Sequence, residues 1–287
     1  MVDHLVRCRY DSGWLPDSSG DWVRSLFSPY SYLRVQSPVT ALMGPQYRRS
    51  RTRLEIDLTW ACNLRCHNCN RSCSQVPSVE RIELEQIRRF VDESVASAQS
   101  WEQIRLLGGE PTLHPELDEI LAVLLTWRSE HSPATRIELT SNGYGPRVAR
   151  VIQGLPTGVV VNNTRKSSRS QSFRSFNIAP LDRAEYTFAD YRNGCRVIQV
   201  SGIGLTPYGW YPCPIAGGID RVMGFDLGLK RMPEHEDDML DQLRTFCPLC
   251  GHFKRLFEFP LGEPRQSGVW LRAYTRYRQS PPALTRY

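Results

Sequence analysis

"RLEIDLTWACNLRCHNC", residues 53–69, is the stretch from which the rest of the chain can be read. Its first eight residues alternate apolar and polar side chains, the period of a β-strand. They run straight into three cysteines, Cys62, Cys66 and Cys69, and Cys73 follows four positions later. A strand that hands clustered thiols to the loop at its carboxyl end puts chemistry at the edge of a sheet.

Working outward, "IELEQIRRFVDESVASA" (82–98) sets Leu84, Ile87, Phe90 or Val91, and Val95 on one helical face. A second strand, "QIRLL" (103–107), meets "GGEP". Pro115 then opens a helix whose stripe is Leu117, Ile120, Leu121, Leu124 and Leu125. "RIELTSNG" (136–143), a short helix near 146–154 and "GVVVNN" (158–163) continue the alternation, and a weak fifth strand is expected near "SFNIAP" (175–180). Strands alternating with helices predict a parallel α/β sheet with its functional loops at the strands' carboxyl ends. The unusual residues gather there: the cysteines, Gly108 to Pro111, Ser141 to Gly143, and Asn162 with Asn163.

Composition narrows the function. Of 287 residues, 40% are apolar and 10% aromatic, enough for a globular core. The net charge of +6 is carried almost entirely by dispersed arginines, with lysine only at 166, 230 and 254. No run pairs basic residues with stacking aromatics, so no nucleic-acid partner is expected. No stretch approaches 18 consecutive apolar residues, and "MVDHLVRCRYDSGW" lacks the apolar core of a signal peptide. The expectation is a soluble cytoplasmic protein with no membrane partner. In that reducing compartment clustered cysteines are metal ligands more often than disulfides. Seven fall into two groups, Cys62, Cys66 and Cys69 early and Cys195, Cys213, Cys247 and Cys250 late; Cys8 and Cys73 are left over.

Three thiolates can neither close a tetrahedral zinc site nor hold all four irons of a cubane, so the early group leaves one metal position open for reaction. Zinc completed by His67 is the alternative. In "GGEP", two glycines permit close backbone approach to a ligand, and Glu110 could accept hydrogen bonds from an ammonium group.

CNLRCHNC followed by GGEP on the next strand resembles the radical S-adenosylmethionine (SAM) superfamily, over roughly residues 53–165. The resemblance implies a partial (β/α) barrel, and a [4Fe–4S] cluster held by Cys62, Cys66 and Cys69 that chelates S-adenosylmethionine. It implies that Gly108, Gly109, Glu110 and Pro111 receive the methionine end. Asn142 and Asn162 match positions that touch the ribose or carboxylate. The residue before the third cysteine is commonly aromatic in that family, and here it is Asn68. Read alone, C-x17-C followed by C-x2-C serves a zinc ribbon or an iron–sulfur site. Behind such a core it resembles the auxiliary-cluster module called twitch, a truncated relative of the SPASM domain, which implies a second [4Fe–4S] cluster on Cys195, Cys213, Cys247 and Cys250.

The expected organisation is an irregular aromatic-rich extension (1–52), the partial barrel (53–190), a hairpin-and-helix auxiliary module (191–260) and a basic tail (261–287). Twitch enzymes of similar layout act on sugars and aminocyclitols in antibiotic pathways, so hydrogen abstraction from a carbohydrate carbinol is expected. Epimerisation, with Cys73 returning a hydrogen atom, is the leading outcome. Dehydrogenation with the auxiliary cluster as electron acceptor, peptide modification, and a non-enzymatic metal protein are the alternatives. Lys166 is a candidate substrate ligand or base, or else a solvated loop charge, and His114 is expected to shape the loop. Trp14, Trp22, Phe27, Tyr30 and Tyr32 form either a sugar-stacking cap or aromatic packing on the barrel. Expected partners are a small-molecule or oligosaccharide substrate and an electron donor such as flavodoxin or ferredoxin.

Overall fold

The computed structural model describes residues 29–170, 176–253 and 266–287. In chain order its elements are α1 (Ser37–Met43), β1 (Arg53–Thr59), α2 (Leu84–Ala96), β2 (Gln103–Gly108), α3 (Leu117–His131), β3 (Arg136–Ser141), α4 (Pro146–Gln153), β4 (Val159–Asn163), α5 (Arg196–Val200), β5 (Ile203–Thr206), β6 (Gly209–Tyr211), α6 (Ala216–Met223), α7 (Leu240–Phe246) and α8 (Gly268–Gln279). The six strands form one sheet in the order β4-β3-β2-β1-β5-β6. The first five are parallel, and β6 folds back antiparallel on β5. This is a mixed α/β architecture consistent with a partial barrel.

Helices α2 and α3 cover one face. A capping box starts α2, with Glu83 as N-cap and Gln86 three residues on; the Glu83 amide donates to Gln86 Oε1 at 2.9 Å. From these helices Ile87, Phe90, Ile120, Leu121 and Leu124 are buried against Ile56 and Leu106 of the sheet. Each such side chain contributes roughly 1.5–3 kcal/mol by leaving water. Val95, expected on the buried stripe, is instead 43% exposed in the last turn of α2. A second core lies around α6 and α8, where Tyr211, Ile219, Phe246, Trp270 and Tyr274 pack together.

The strand expected at 175–180 does not form: residues 176–178 are turn and bend, and Pro180 opens a single 3-10 turn. The fifth parallel strand is Ile203–Thr206, which pairs with β1 rather than extending past β4. The hairpin expected between Cys195 and Cys213 is real and belongs to the main sheet. Within the N-terminal stretch expected to be irregular, residues 37–43 are helical. Tyr32 packs edge-on against Tyr186, and its hydroxyl donates to the Glu185 carbonyl at 2.8 Å. Tyr30 is exposed, while Trp14, Trp22 and Phe27 lie outside the described residues.

The basic C-terminal stretch is not a free arm. Trp270, Ala273, Tyr274 and Tyr277 of α8 are buried. The Tyr287 hydroxyl donates to Glu93 at 2.8 Å, and its carbonyl accepts from Gln86 Nε2 at 2.9 Å. Among the described residues no helix is long and apolar enough to cross a membrane.

Candidate functional site

The cysteine loop begins where β1 runs out. Asn68 and Ser72 both adopt left-handed backbone (φ 54°), turning the chain sharply on either side of Cys69. Cys66 is buried, Cys62 and Cys69 are half-buried, and His67 is exposed. Cys62 Sγ accepts from the Leu64 amide at 3.5 Å. Burial pushes the Cys62 thiol up to about 12. Cys69 is drawn down to about 6, chiefly because the Cys73 thiol hydrogen-bonds to its sulfur. The same bond, with burial, drives Cys73 well above the ordinary thiol range. Cys73 is 5% exposed and packs with Trp60 and Tyr208 beneath the loop.

The GGEP loop locks onto this one. The Gly109 and Glu110 amides donate to the Thr59 and Ala61 carbonyls at 2.7 and 2.8 Å. A Cβ on Gly108 would lie 2.4 Å from the Thr59 carbonyl oxygen, and one on Gly109 2.2 Å from that of Ala61. Both glycines are therefore required by contact with the cysteine loop's own backbone, whatever ligand lies beyond. Pro111 is buried at the start of a 3-10 turn. Glu110 is fully buried: Oε1 accepts from the Thr112 amide and hydroxyl and the Ser141 hydroxyl, and Oε2 accepts from the Asn142 amide at 2.8 Å. Oε2 keeps acceptor capacity for a further donor. Burial raises the Glu110 carboxyl against these bonds.

Asn142 joins the third loop to the first. Its Nδ2 donates to Asn63 Oδ1 at 2.8 Å and lies 4.0 Å from Cys62 Sγ. Lys166, half-buried, donates its backbone amide to the Asn142 carbonyl at 2.8 Å. His114 is buried, with Nε2–H donating to the Ile82 carbonyl and Nδ1 accepting from the Glu116 amide; burial lowers its pKa and keeps it neutral. It shapes the loop as expected.

Sequence reading missed the inner face of the sheet. The polar positions of β1 are not solvent-facing: Glu55 and Asp57 are 5% and 1% exposed. Arg71, two residues past Cys69, reaches back to Glu55 Oε2 (3.0 Å) and Asp57 Oδ1 (3.3 Å). Arg105 of β2 bridges Glu55 (2.6 Å) and Glu138 of β3 (2.8 Å). Glu138 also accepts from Arg136, Gln103, Thr140 and, at 3.3 Å, Asn162 Nδ2. Asn162 thus reaches this row from β4. Asp57 Oδ2 is buried with no hydrogen-bond partner. Burial, with the Glu55 carboxylate adding to it, outweighs Arg71 and pushes Asp57 up to about 6. The signal was present in the sequence as Glu55 and Asp57 in the alternating pattern of β1, with Arg105 and Glu138 in the neighbouring strands.

The late cysteines converge. Cys195, Cys213, Cys247 and Cys250 line one enclosed cavity, and the rest of its lining is apolar, including Ile198, Ile215, Phe246 and Phe253. Burial pushes Cys213 up to about 12, and Cys247 is driven well above the ordinary range by burial and by the other three thiols. Cys195, Cys247 and Cys250 are buried and Cys213 is half-buried, so each thiol keeps its proton unless a bound metal takes its place.

A family model described as the radical SAM superfamily matches residues 56–203. The chain belongs to the radical SAM superfamily. The match runs from β1 through the first residue of β5. A GTP 3',8-cyclase of Stenotrophomonas maltophilia (strain R551-3) is 37% identical over 99 residues, 34% of this chain and 28% of that protein. Molybdenum cofactor biosynthesis protein 1 of Bos taurus is 34% identical over 94 residues, 31% of this chain and 14% of that protein. The chain thus spans less than a third of the length of these curated relatives. A crystal structure of BtrN in complex with AdoMet and 2-DOIA aligns with a TM-score of 0.40 at 12% identity, over 74% of this chain and 100% of BtrN. The radical SAM superfamily uses a [4Fe–4S] cluster with S-adenosylmethionine. The donor chemistry here suits a cluster, because three thiols, Cys62, Cys66 and Cys69, lie in one loop at the end of β1; among the described residues neither cysteine group stands as a preformed site for a single metal ion.

Proposed function

We propose that this radical SAM protein oxidises a carbinol C–H of a small polyhydroxylated substrate to a carbonyl. Cys62, Cys66 and Cys69 would hold the cluster. Asn142, Glu110 Oε2 and the backbone of Gly108 to Pro111 would meet S-adenosylmethionine beside it. Together the two cofactors supply a carbon-centred radical that takes the carbinol hydrogen, given an electron from a donor such as flavodoxin or ferredoxin. The chain's own task is to orient the substrate and exclude water at the strand ends, with Lys166, beside Asn142, as a proposed substrate ligand.

The observation that carries the oxidative outcome is the four-thiol cavity. Oxidation of the carbinol releases one hydrogen atom, one proton and one further electron. A second cluster on Cys195, Cys213, Cys247 and Cys250 would supply an acceptor for that electron. Epimerisation is the second reading, favoured by Cys73, a further thiol close to the loop among the described residues. That thiol is 5% exposed and its Sγ lies 3.9 Å from the Arg71 carbonyl, buried away from the strand ends, which argues for oxidation.

Anaerobic turnover of the reconstituted enzyme in D2O with candidate polyols tests the reading. The expected result is 5'-deoxyadenosine and an unlabelled carbonyl product in equal amounts. An inverted product carrying one deuterium, lost in Cys73→Ala, would hand the reaction to epimerisation. Normal 5'-deoxyadenosine formation by Cys66→Ala would refute the cluster assignment.

A further inference from the structure

The segments that meet at the cysteine loop carry cations without anions. Between Asp57 and Glu80, and again between Glu138 and Asp182, the sequence has no carboxylate side chain. β1, β3 and β4 are parallel members of one sheet, so the loops that follow them share one end of it. There the Arg65 amide donates to the Arg169 carbonyl at 2.7 Å, and the Ser170 hydroxyl donates to the Arg65 carbonyl at 2.9 Å. Asn63 Nδ2 donates to the Tyr144 carbonyl at 2.7 Å, which holds the entry to α4 against the same loop. Arg65, Arg147, Arg150, Arg165 and Arg169 are all exposed around this end.

Among the described residues none of these five arginines has a carboxylate partner. Surface arginines on other elements do: Arg53 pairs with Glu102, Arg88 with Glu85 and Arg244 with Asp241. The carboxylate nearest the loop, Glu110, is fully buried and turned onto Thr112, Ser141 and Asn142. Like charges gathered on one rim repel each other, and an anionic partner removes that repulsion. The five side chains spread over three loops and one turn of α4, the footprint of a protein surface; a small anion needs donors that converge in a concave site. Trp60 and Phe176 are buried and Tyr144 is half-buried, so among the described residues these segments offer a nucleic-acid strand no stacking platform.

We propose that this rim is the docking surface for the electron donor, and that the donor is a small protein with an acidic face around its redox centre. Arg65 and His67 are exposed on either side of the buried Cys66, so a partner resting on them stands one layer of side chains from a proposed cluster ligand. One electron leaves the carrier's reduced centre and enters the cluster, and no bond forms or breaks in the exchange. Steering by the rim speeds the encounter and selects the orientation that brings the carrier's centre to Cys66. The inference rests on the cluster assignment proposed above and adds the partner's chemistry and its place of contact.

The test is anaerobic calorimetric titration of the reconstituted, S-adenosylmethionine-bound enzyme with an oxidised flavodoxin of acidic net charge. The expected result is binding at about 0.1 M salt that weakens at least about tenfold at about 1 M, as the screening length falls from about 10 to about 3 Å. Arg147→Glu combined with Arg169→Glu should weaken binding at least about tenfold at the lower salt. Arg88→Glu combined with Arg244→Glu, the same change of net charge on α2 and α7, should leave it near the wild-type value. Reduction of the cluster, followed by its visible absorbance, should slow in the rim variant with reduced flavodoxin and keep its wild-type rate with dithionite, at unchanged iron content and Tm. No flavodoxin binding at the lower salt, an equal loss in both double variants, or tighter binding of a single-stranded oligonucleotide than of flavodoxin would each overturn the proposal. Dithionite-driven formation of the carbonyl without flavodoxin binding would leave the oxidative reading standing and remove only the docking surface. Binding as expected with no carbonyl formed would keep the surface and remove the oxidation.

Discussion

Asp57→Asn should stabilise the protein, because the carboxylate is buried and its Oδ2 has no donor. The folded-state value of about 6 lies above the ordinary 3.8. A proton is therefore held more tightly in the folded than in the unfolded chain, and the ionised side chain opposes folding. The sign follows: the penalty is absent well below pH 4, grows as pH rises from about 4 to 6, and is complete above 6. A difference of about two pKa units corresponds to roughly 3 kcal/mol at pH 8 and about half that at pH 5. That figure is already net of the attraction of Arg71, which also keeps Glu55. The expected gain at pH 8 is therefore roughly 3 kcal/mol, or several degrees in Tm for a chain of this size. Urea denaturation of wild type and variant under anaerobic conditions at pH 8 and pH 5 measures it. A variant less stable than wild type at pH 8, or a gain that grows toward acid, would refute the reasoning.

Cys247→Ala should lower bound iron by one cluster, about four atoms, and should depress the melting of the protein, because metal held by four buried thiols contributes folding free energy directly. Iron analysis beside calorimetry checks this, and unchanged iron would mean that the cavity holds no cluster. Gly109→Ala places a methyl 2.2 Å from the Ala61 carbonyl oxygen, so the two loops must part. A loss of about 1–3 kcal/mol is expected, together with weakened S-adenosylmethionine binding by equilibrium dialysis, and wild-type values for both would remove the packing argument.

The sequence carried the sheet well where local pattern and burial agree. The four strands from Arg53 to Asn163 and the three helices between them were readable because α2 and α3 each present one apolar stripe to one covered face. The fifth strand was not, because the partner of β1 comes from about 150 residues further along the chain, and only the tertiary fold brings it there. The candidate site was legible to the extent that chemistry is written in spacing. Three cysteines in one loop, and four later ones that prove to share a cavity, are visible as residue types. The polar row was not visible in this way. Alternation of Glu55, Asp57, Arg105 and Glu138 with aliphatic residues reads as a half-solvated strand, and only the return of Arg71 onto β1 makes that face an interior.

That return also explains why the two halves of the site form one mechanical unit. Arg71 belongs to the tail of the cysteine loop, and its guanidinium is anchored on β1 five and seven residues upstream of Cys62, at Asp57 and Glu55. Its carbonyl is held in turn by Arg221 Nη2 at 3.1 Å, and the Arg221 guanidinium lies 4.9 Å from the centre of the Trp60 ring at the end of β1. The left-handed turns at Asn68 and Ser72 are therefore clamped from both sides: by the ionic row below and by α6, which carries Arg221, above. Strained backbone persists only where its surroundings over-determine it. The carboxylates of this row are thus the same ones that fix the loop bearing Cys69.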